Sequence, residues 1–200
     1  MLTGLSAPIT TLLLISIVLV SGYVLYGNPQ LIYRLAFQPA QIPKQPYRYI
    51  TAGFVHVSLP HLLFNVITLY FFGPLLEFEL GSIRYLILYM GALLSSHALT
   101  YFQKGRNSTY SCVGASGAIS GVLLAFVLFS PYQLIYIFAL IPMPAILFAV
   151  VFLVGSIYAM KTERLFGIAH EAHLGGAIGG VLFTILLEPA VFPAFLDKLL

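Results

Sequence analysis

Apolar residues dominate this chain in runs long enough to cross a bilayer, separated by short stretches where proline, glycine or charged residues collect. A transmembrane helix needs about 20 predominantly apolar residues. On that measure, spans are predicted at residues 8–26, 60–77, 83–102, 113–129, 144–160 and 167–187. The segment 27–59 is too broken for a span, with Pro29, Pro39, Pro43 and Pro46, yet Leu31, Ile32, Leu35 and Phe37 make it too apolar for a free linker. It is expected to lie in the membrane interface as a short amphipathic helix plus loop. Pro60 opens the second span, where a missing N–H does no harm. The apolar stretch that follows Ser130-Pro131 ends at Pro142 and Pro144, so the fifth span is set beyond it. The pattern predicts an all-α polytopic membrane protein, a six-transmembrane-helix bundle forming one domain over residues 1–200. Residues 1–10 lack the basic start of a secretory signal, and the apolar run that follows is long for a signal core, so it reads as a retained first span.

Composition narrows the function classes. Of 200 residues, 60% are hydrophobic and 8% charged, against about 25% charged in soluble domains. No sizeable extramembrane domain fits that balance. The net charge is +3, but the nine basic residues are scattered and form no patch, so no nucleic-acid partner is expected. Cys112 stands alone, which excludes an intramolecular disulfide or a thiolate metal cluster.

Against this background the polar residues inside spans stand out, because each costs a few kcal/mol in hydrocarbon. They are His61 and Asn65 in span two, Ser116 in span four, and His170, Glu171 and His173 in span six. Even-numbered spans run in one direction, and each group lies within two turns of its helix's N-terminal end. At 1.5 Å per residue, His61, Asn65, Ser116 and His173 therefore share one membrane face at a shallow depth. Span four reads Gly114-Ala115-Ser116-Gly117 and continues to Gly121; span six carries Gly176 and Gly180 after His173. Small residues four apart let helix backbones approach closely in lipid, which would bring an Oγ and an imidazole together.

A serine hydroxyl needs a base to become a nucleophile, and imidazole is the usual one. Ser116 and His173 are the candidate catalytic pair. His61 and Asn65, four apart on one helical face, are candidate oxyanion donors, with the backbone N–H groups near Ser116 as further ones. No carboxylate sits as a third member: Asp197 is in the tail, Glu77 and Glu79 are at the far end of span two, and Glu171 is on a different helical face from His173. The constellation is a dyad. Taken singly, the glycine-flanked serine reads as a packing seam and His61 with Asn65 as an interhelical hydrogen-bond pair; small-residue packing does not predict two histidines at the matching depth. His97 reads as a satisfied interfacial histidine, His56 as a brace for its loop, and Glu77 as a tie for a helix end. His170-Glu171-Ala172-His173 spaces its histidines three apart, where a zinc protease helix needs four, and shows no third ligand, so no metal and no cofactor are expected.

These residues resemble the rhomboid intramembrane serine proteases in their minimal six-span bacterial form. The matching elements are Tyr47-Arg48, like that family's Trp-Arg; His56; His61 with Asn65; Glu77 with Gly81; Gly114-Ala115-Ser116-Gly117; Ile141 to Ala145; and Ala172-His173 with Gly176 and Gly180. They cover about residues 47–187 in the family's order. The resemblance implies Ser116 as nucleophile, His173 as base, His61 and Asn65 lining the oxyanion hole, and Arg48 and Glu77 as structural residues. It also implies a first loop half-embedded in one leaflet, and transmembrane segments of other proteins as substrates. Span five and the loop before span six would form a lateral gate, and the bacterial inner membrane would be the site of action. Relatives commonly carry an aromatic residue four positions after the nucleophile, stacked on the histidine; here that position is Ser120.

Basic residues oppose the family's usual orientation. Arg34, Lys44, Arg48, Lys104, Arg106, Lys161 and Arg164 all flank the face carrying Ser116, against Arg84 and Lys198 opposite. The positive-inside rule would put that face in the cytoplasm, whereas the resemblance implies the outside. Three of the charges lie in the long first loop, where the rule weakens, and the family orientation is the expectation. The alternative function is a catalytically inactive relative that binds or escorts membrane proteins; a transporter is disfavoured because the odd-numbered spans hold almost no ionisable groups.

Overall fold

In a computed structural model the described residues are 6–105, 109–137, 140–162 and 169–200. Helix α1 (Pro8–Gly22) runs on through a wider turn, Tyr23–Gly27, into a first loop carrying two short helices, α2 (Leu31–Leu35) and α3 (Arg48–Thr51). Then come α4 (Leu59–Leu80), α5 (Ser82–Lys104), α6 (Ser116–Phe129), a hairpin of β1 (Leu134–Ile137) and β2 (Ile141–Pro144), α7 (Ala145–Thr162), α8 (His170–Leu187) and α9 (Val191–Leu199). Four helical stretches, Pro8–Gly27, α4, α5 and α8, are long and apolar enough to cross a membrane, and α6 and α7 are also apolar. The chain is an integral membrane protein, all-α in architecture, whose helices fit a six-helix transmembrane bundle. The hairpin is an addition to that pattern: Pro142 and Pro144 sit in a two-stranded ribbon, where an edge tolerates a missing N–H.

Helix α6 is the central pillar. Eleven of its 14 residues are buried, and at 1.5 Å per residue it spans only about 21 Å, less than the roughly 30 Å of a bilayer core. Its first residue, Ser116, is half-buried. Glycines set how closely α8 packs. A Cβ on Gly176 would lie 1.9 Å from the Gly117 carbonyl oxygen, and one on Gly180 would lie 2.3 Å from Gly121 Cα; both face α6. Gly175 and Gly179 face α5 instead, where added Cβ atoms would meet the Ser95 carbonyl oxygen at 2.7 Å and Ser95 Cβ at 2.5 Å. One helix thus makes two backbone-close seams.

Polar ties hold the rest of the frame. Glu77, near the end of α4, accepts hydrogen bonds from the Ile9 and Thr10 N–H groups at 2.9 and 2.8 Å, from Thr10 Oγ1 at 2.8 Å and from Ser82 Oγ at 2.7 Å. One carboxylate thereby satisfies first-turn donors of α1 and joins α1, α4 and α5. In the first loop, the buried Arg48 donates to the Tyr33 and Ala36 carbonyls at 2.9 and 2.6 Å and to Gln45 Oε1 at 2.6 Å. His97 donates through Nδ1 to the Tyr49 carbonyl at 2.7 Å and stacks on Phe37 at 4.5 Å. The loop is fastened to the bundle at that point.

Candidate active site

Ser116 owes its place to the chain just ahead of it. Phe37 and Cys112 exchange backbone hydrogen bonds at 2.9 and 3.0 Å, the Gly114 N–H donates to the Ala52 carbonyl at 2.9 Å, and the Ala115 N–H donates to His56 Nε2 at 3.3 Å. The first loop therefore pins three of the four residues preceding α6. Gly114 has φ +121°, a conformation open to glycine and costly for other residues. The His61 ring lies over it: a Cβ there would sit 2.7 Å from His61 Cε1. That glycine both releases the helix start and makes room for the imidazole.

Because Ala115 can only donate, His56 Nε2 is an acceptor and Nδ1 carries the hydrogen. Nδ1 donates to Ser21 Oγ at 2.8 Å, and Ser21 passes its own hydrogen to the Phe54 carbonyl at 2.9 Å. This arrangement works only with neutral imidazole, and burial, ahead of the adjacent His61, holds the His56 pKa down at about 3.

His173 lies in the first turn of α8, its N–H bonded to the Ala169 carbonyl at 3.1 Å. Its Nε2 is 2.8 Å from Ser116 Oγ, a hydrogen-bond distance. The two residues are 57 positions apart in the sequence, and the Gly117–Gly176 contact one turn below brings them together. Asn65 is buried and gives one amide hydrogen to the His61 carbonyl at 3.0 Å, which leaves the second N–H of its Nδ2. The structure thus gathers Ser116 and His173 in direct contact, with His61 against the residue two before the serine and Asn65 one turn further along the His61 helix. Ser120 turns its hydroxyl back along α6 to the Ser116 carbonyl at 2.7 Å and contributes no ring. His170 sets its ring edge-on to His173, 6.2 Å between centroids. Arg106, Arg164 and Gly167 lie outside the described residues.

Two neighbours of the pair carried no signal in the sequence. Tyr110 donates its phenolic hydrogen to Oε1 of the buried Glu171, tying the segment that leads to Ser116 to the start of the helix that carries His173. Burial, ahead of neighbouring Cys112 and Glu171, pushes the Tyr110 pKa up, so the phenol stays the donor. Phe152, from α7, lies 6.1 Å from the His173 ring with the planes 29° apart. Among the described residues, no three His, Cys, Asp or Glu side chains converge to hold a metal ion.

Comparison with known proteins agrees with this geometry. The family model described as "Rhomboid domain" matches residues 43–190. RHOMBOID-like protein 12, mitochondrial, of Arabidopsis thaliana is 32% identical over 143 residues, 64% of this chain and 42% of the relative. Putative rhomboid protease YdcA of Bacillus subtilis is 41% identical over 86 residues, 42% of each chain. Rhomboid protein 1, mitochondrial, of Saccharomyces cerevisiae is 33% identical over 147 residues, 71% of this chain and 42% of the relative. The chain spans less than half the length of these curated relatives.

Proposed function

We propose that this chain, which belongs to the rhomboid family, is an intramembrane serine endopeptidase that cuts transmembrane segments of other proteins with a Ser116–His173 dyad. The observation that carries this reading is the 2.8 Å contact between His173 Nε2 and Ser116 Oγ at the N-terminal end of α6. With the imidazole hydrogen on Nδ1, Nε2 takes the Ser116 proton as Oγ attacks the scissile carbonyl carbon. The carbonyl electrons move to oxygen, and the oxyanion meets His61, the free N–H of Asn65 and the backbone N–H groups at the start of α6. Collapse expels the amine, which receives the proton from His173. Water, deprotonated by the same Nε2, then attacks the acyl ester and releases the second product and the serine.

The finer assignments follow the same reading. The chain is a minimal six-span bacterial form acting in the inner membrane, its single domain carrying spans at residues 8–26, 60–77, 83–102, 113–129, 144–160 and 167–187. The reactive end faces outward. The first loop, with Tyr33, Tyr47, Ile50 and Val57 exposed, is half-embedded in one leaflet, and α7 with the loop before α8 forms the lateral gate.

The test is cleavage of a tagged transmembrane substrate in proteoliposomes, together with acylation by a fluorophosphonate probe. Wild type cleaves and is labelled; Ser116→Ala and His173→Ala remain folded in detergent and do neither. Cleavage retained by Ser116→Ala removes the dyad. A folded wild type that neither cleaves nor reacts favours a protein that binds membrane partners without cutting them.

A further inference from the structure

The imidazole of a catalytic base must be held in its plane as well as in place, since rotation about its last side-chain bond is broad. Ser116 fixes one ring nitrogen of His173. Nothing on α6 holds the face of the ring, because Ser120, one turn after Ser116, spends its hydroxyl on a backbone carbonyl within its own helix. The face is covered from α7 instead. Phe152 lies 6.1 Å from His173 with the planes 29° apart, within the range of offset ring stacking, and Phe148 stacks on Phe152 in turn at 5.9 Å.

Helix α7 is a peripheral element. Ala145, Ala149 and Ser156 are buried on its inner face, while Leu147, Val150, Val151, Val154 and Tyr158 are exposed on the other. An apolar groove of about 180 Å³ is lined by Leu153 of α7, Leu124 of α6, and Ala177, Ile178, Val181 and Leu182 of α8.

We infer that Phe152 is a positioning residue for His173, holding the plane of the imidazole from a neighbouring helix. The inference rests on the serine-protease reading and adds to it a coupling between a peripheral helix and the base. Without that aromatic face the imidazole loses its plane, and Ser116 is deprotonated less readily.

The experiment is the rate of Ser116 acylation by a fluorophosphonate in detergent, which needs no knowledge of the natural substrate. Phe152→Leu keeps apolar bulk but removes the ring plane; Phe152→Tyr keeps the plane; Val154→Ala, on the exposed face, controls for general loosening of α7. Misplacing a reacting group by about 1 Å can cost up to 10²-fold, so Phe152→Leu is expected to lower the maximal acylation rate at least tenfold. The half-saturating probe concentration stays within about twofold, because the ring acts on the base and not on probe binding. Phe152→Tyr and Val154→Ala should react like wild type. Unchanged acylation in Phe152→Leu, or a Phe152→Tyr rate no better than Phe152→Leu, overturns the inference while leaving the dyad intact. Absence of labelling in wild type overturns the protease reading itself.

Discussion

The carbonyl oxygen of Gly117 occupies the position from which a methyl group on Gly176 would be 1.9 Å away. Neither atom belongs to a flexible side chain, so the α6–α8 distance is fixed by main chain against main chain. Gly176→Ala is expected to force the helices apart, at a cost of about 3 kcal/mol or more for overpacking at a rigid contact. Fluorophosphonate labelling should disappear with it, and the detergent melting temperature should fall. Gly155→Ala in α7, where an added Cβ meets nothing within 4 Å, should fold and label normally. Equal tolerance of both substitutions would disprove the seam.

Tyr110 and Glu171 clasp the two arms that present the pair. Tyr110→Phe strands a buried carboxylate oxygen and is expected to destabilise by about 1–3 kcal/mol. Glu171→Gln, which keeps an acceptor oxygen, should cost less. A double-mutant cycle on thermal stability should return a coupling of about 1 kcal/mol, and additive effects would dissolve the clasp.

His56 predicts an acid sensitivity. Its folded pKa is about 3 against 6.5 for the free side chain. Above about pH 6.5 neither state binds the proton and the group adds no pH dependence. Between pH 6.5 and 3 the unfolded chain takes up a proton that the folded chain refuses, so stability falls as pH falls. Wild type should therefore lose more melting temperature between pH 7.5 and 4.5 than His56→Gln does. A parallel decline in both would show that His56 is not responsible.

Glu77→Gln tests the tie between α1 and α4. One side of the new amide is a donor and faces the Ile9 or Thr10 N–H donor to donor, where the carboxylate accepted both. The expected loss is about 2 kcal/mol, read as a lower melting temperature, and labelling of the remaining folded protein should persist because Glu77 is remote from Ser116.

What could be read in the sequence follows from what hydrocarbon penalises. Ser116, His173, His61 and Asn65 stand out because polar groups are costly in apolar helices, and the glycine spacing suggests which helices meet. The arrangement places Oγ and Nε2 2.8 Å apart. Phe152 was illegible for the opposite reason, since an aromatic residue in an apolar run looks the same whether it faces lipid or a histidine. Tyr110 sits in a loop, where no periodicity says which way a side chain turns. The β1–β2 hairpin hid for a related reason: a short apolar run does not distinguish strand from buried helix, and the two prolines marked only an interruption. Helix α6 begins at Ser116, three residues inside the apolar run, because Gly114 at φ +121° leaves helical geometry just before it.

The glycine seam has a consequence for engineering. Since backbone atoms set the spacing of α6 and α8 at the seam, the exposed surface of α8 at Leu186, beyond the groove shared with α7, is uncoupled from the reacting distance. Reporter dyes, crosslinkers or residues suited to bilayers of another thickness can be installed there without retuning the chemistry behind it.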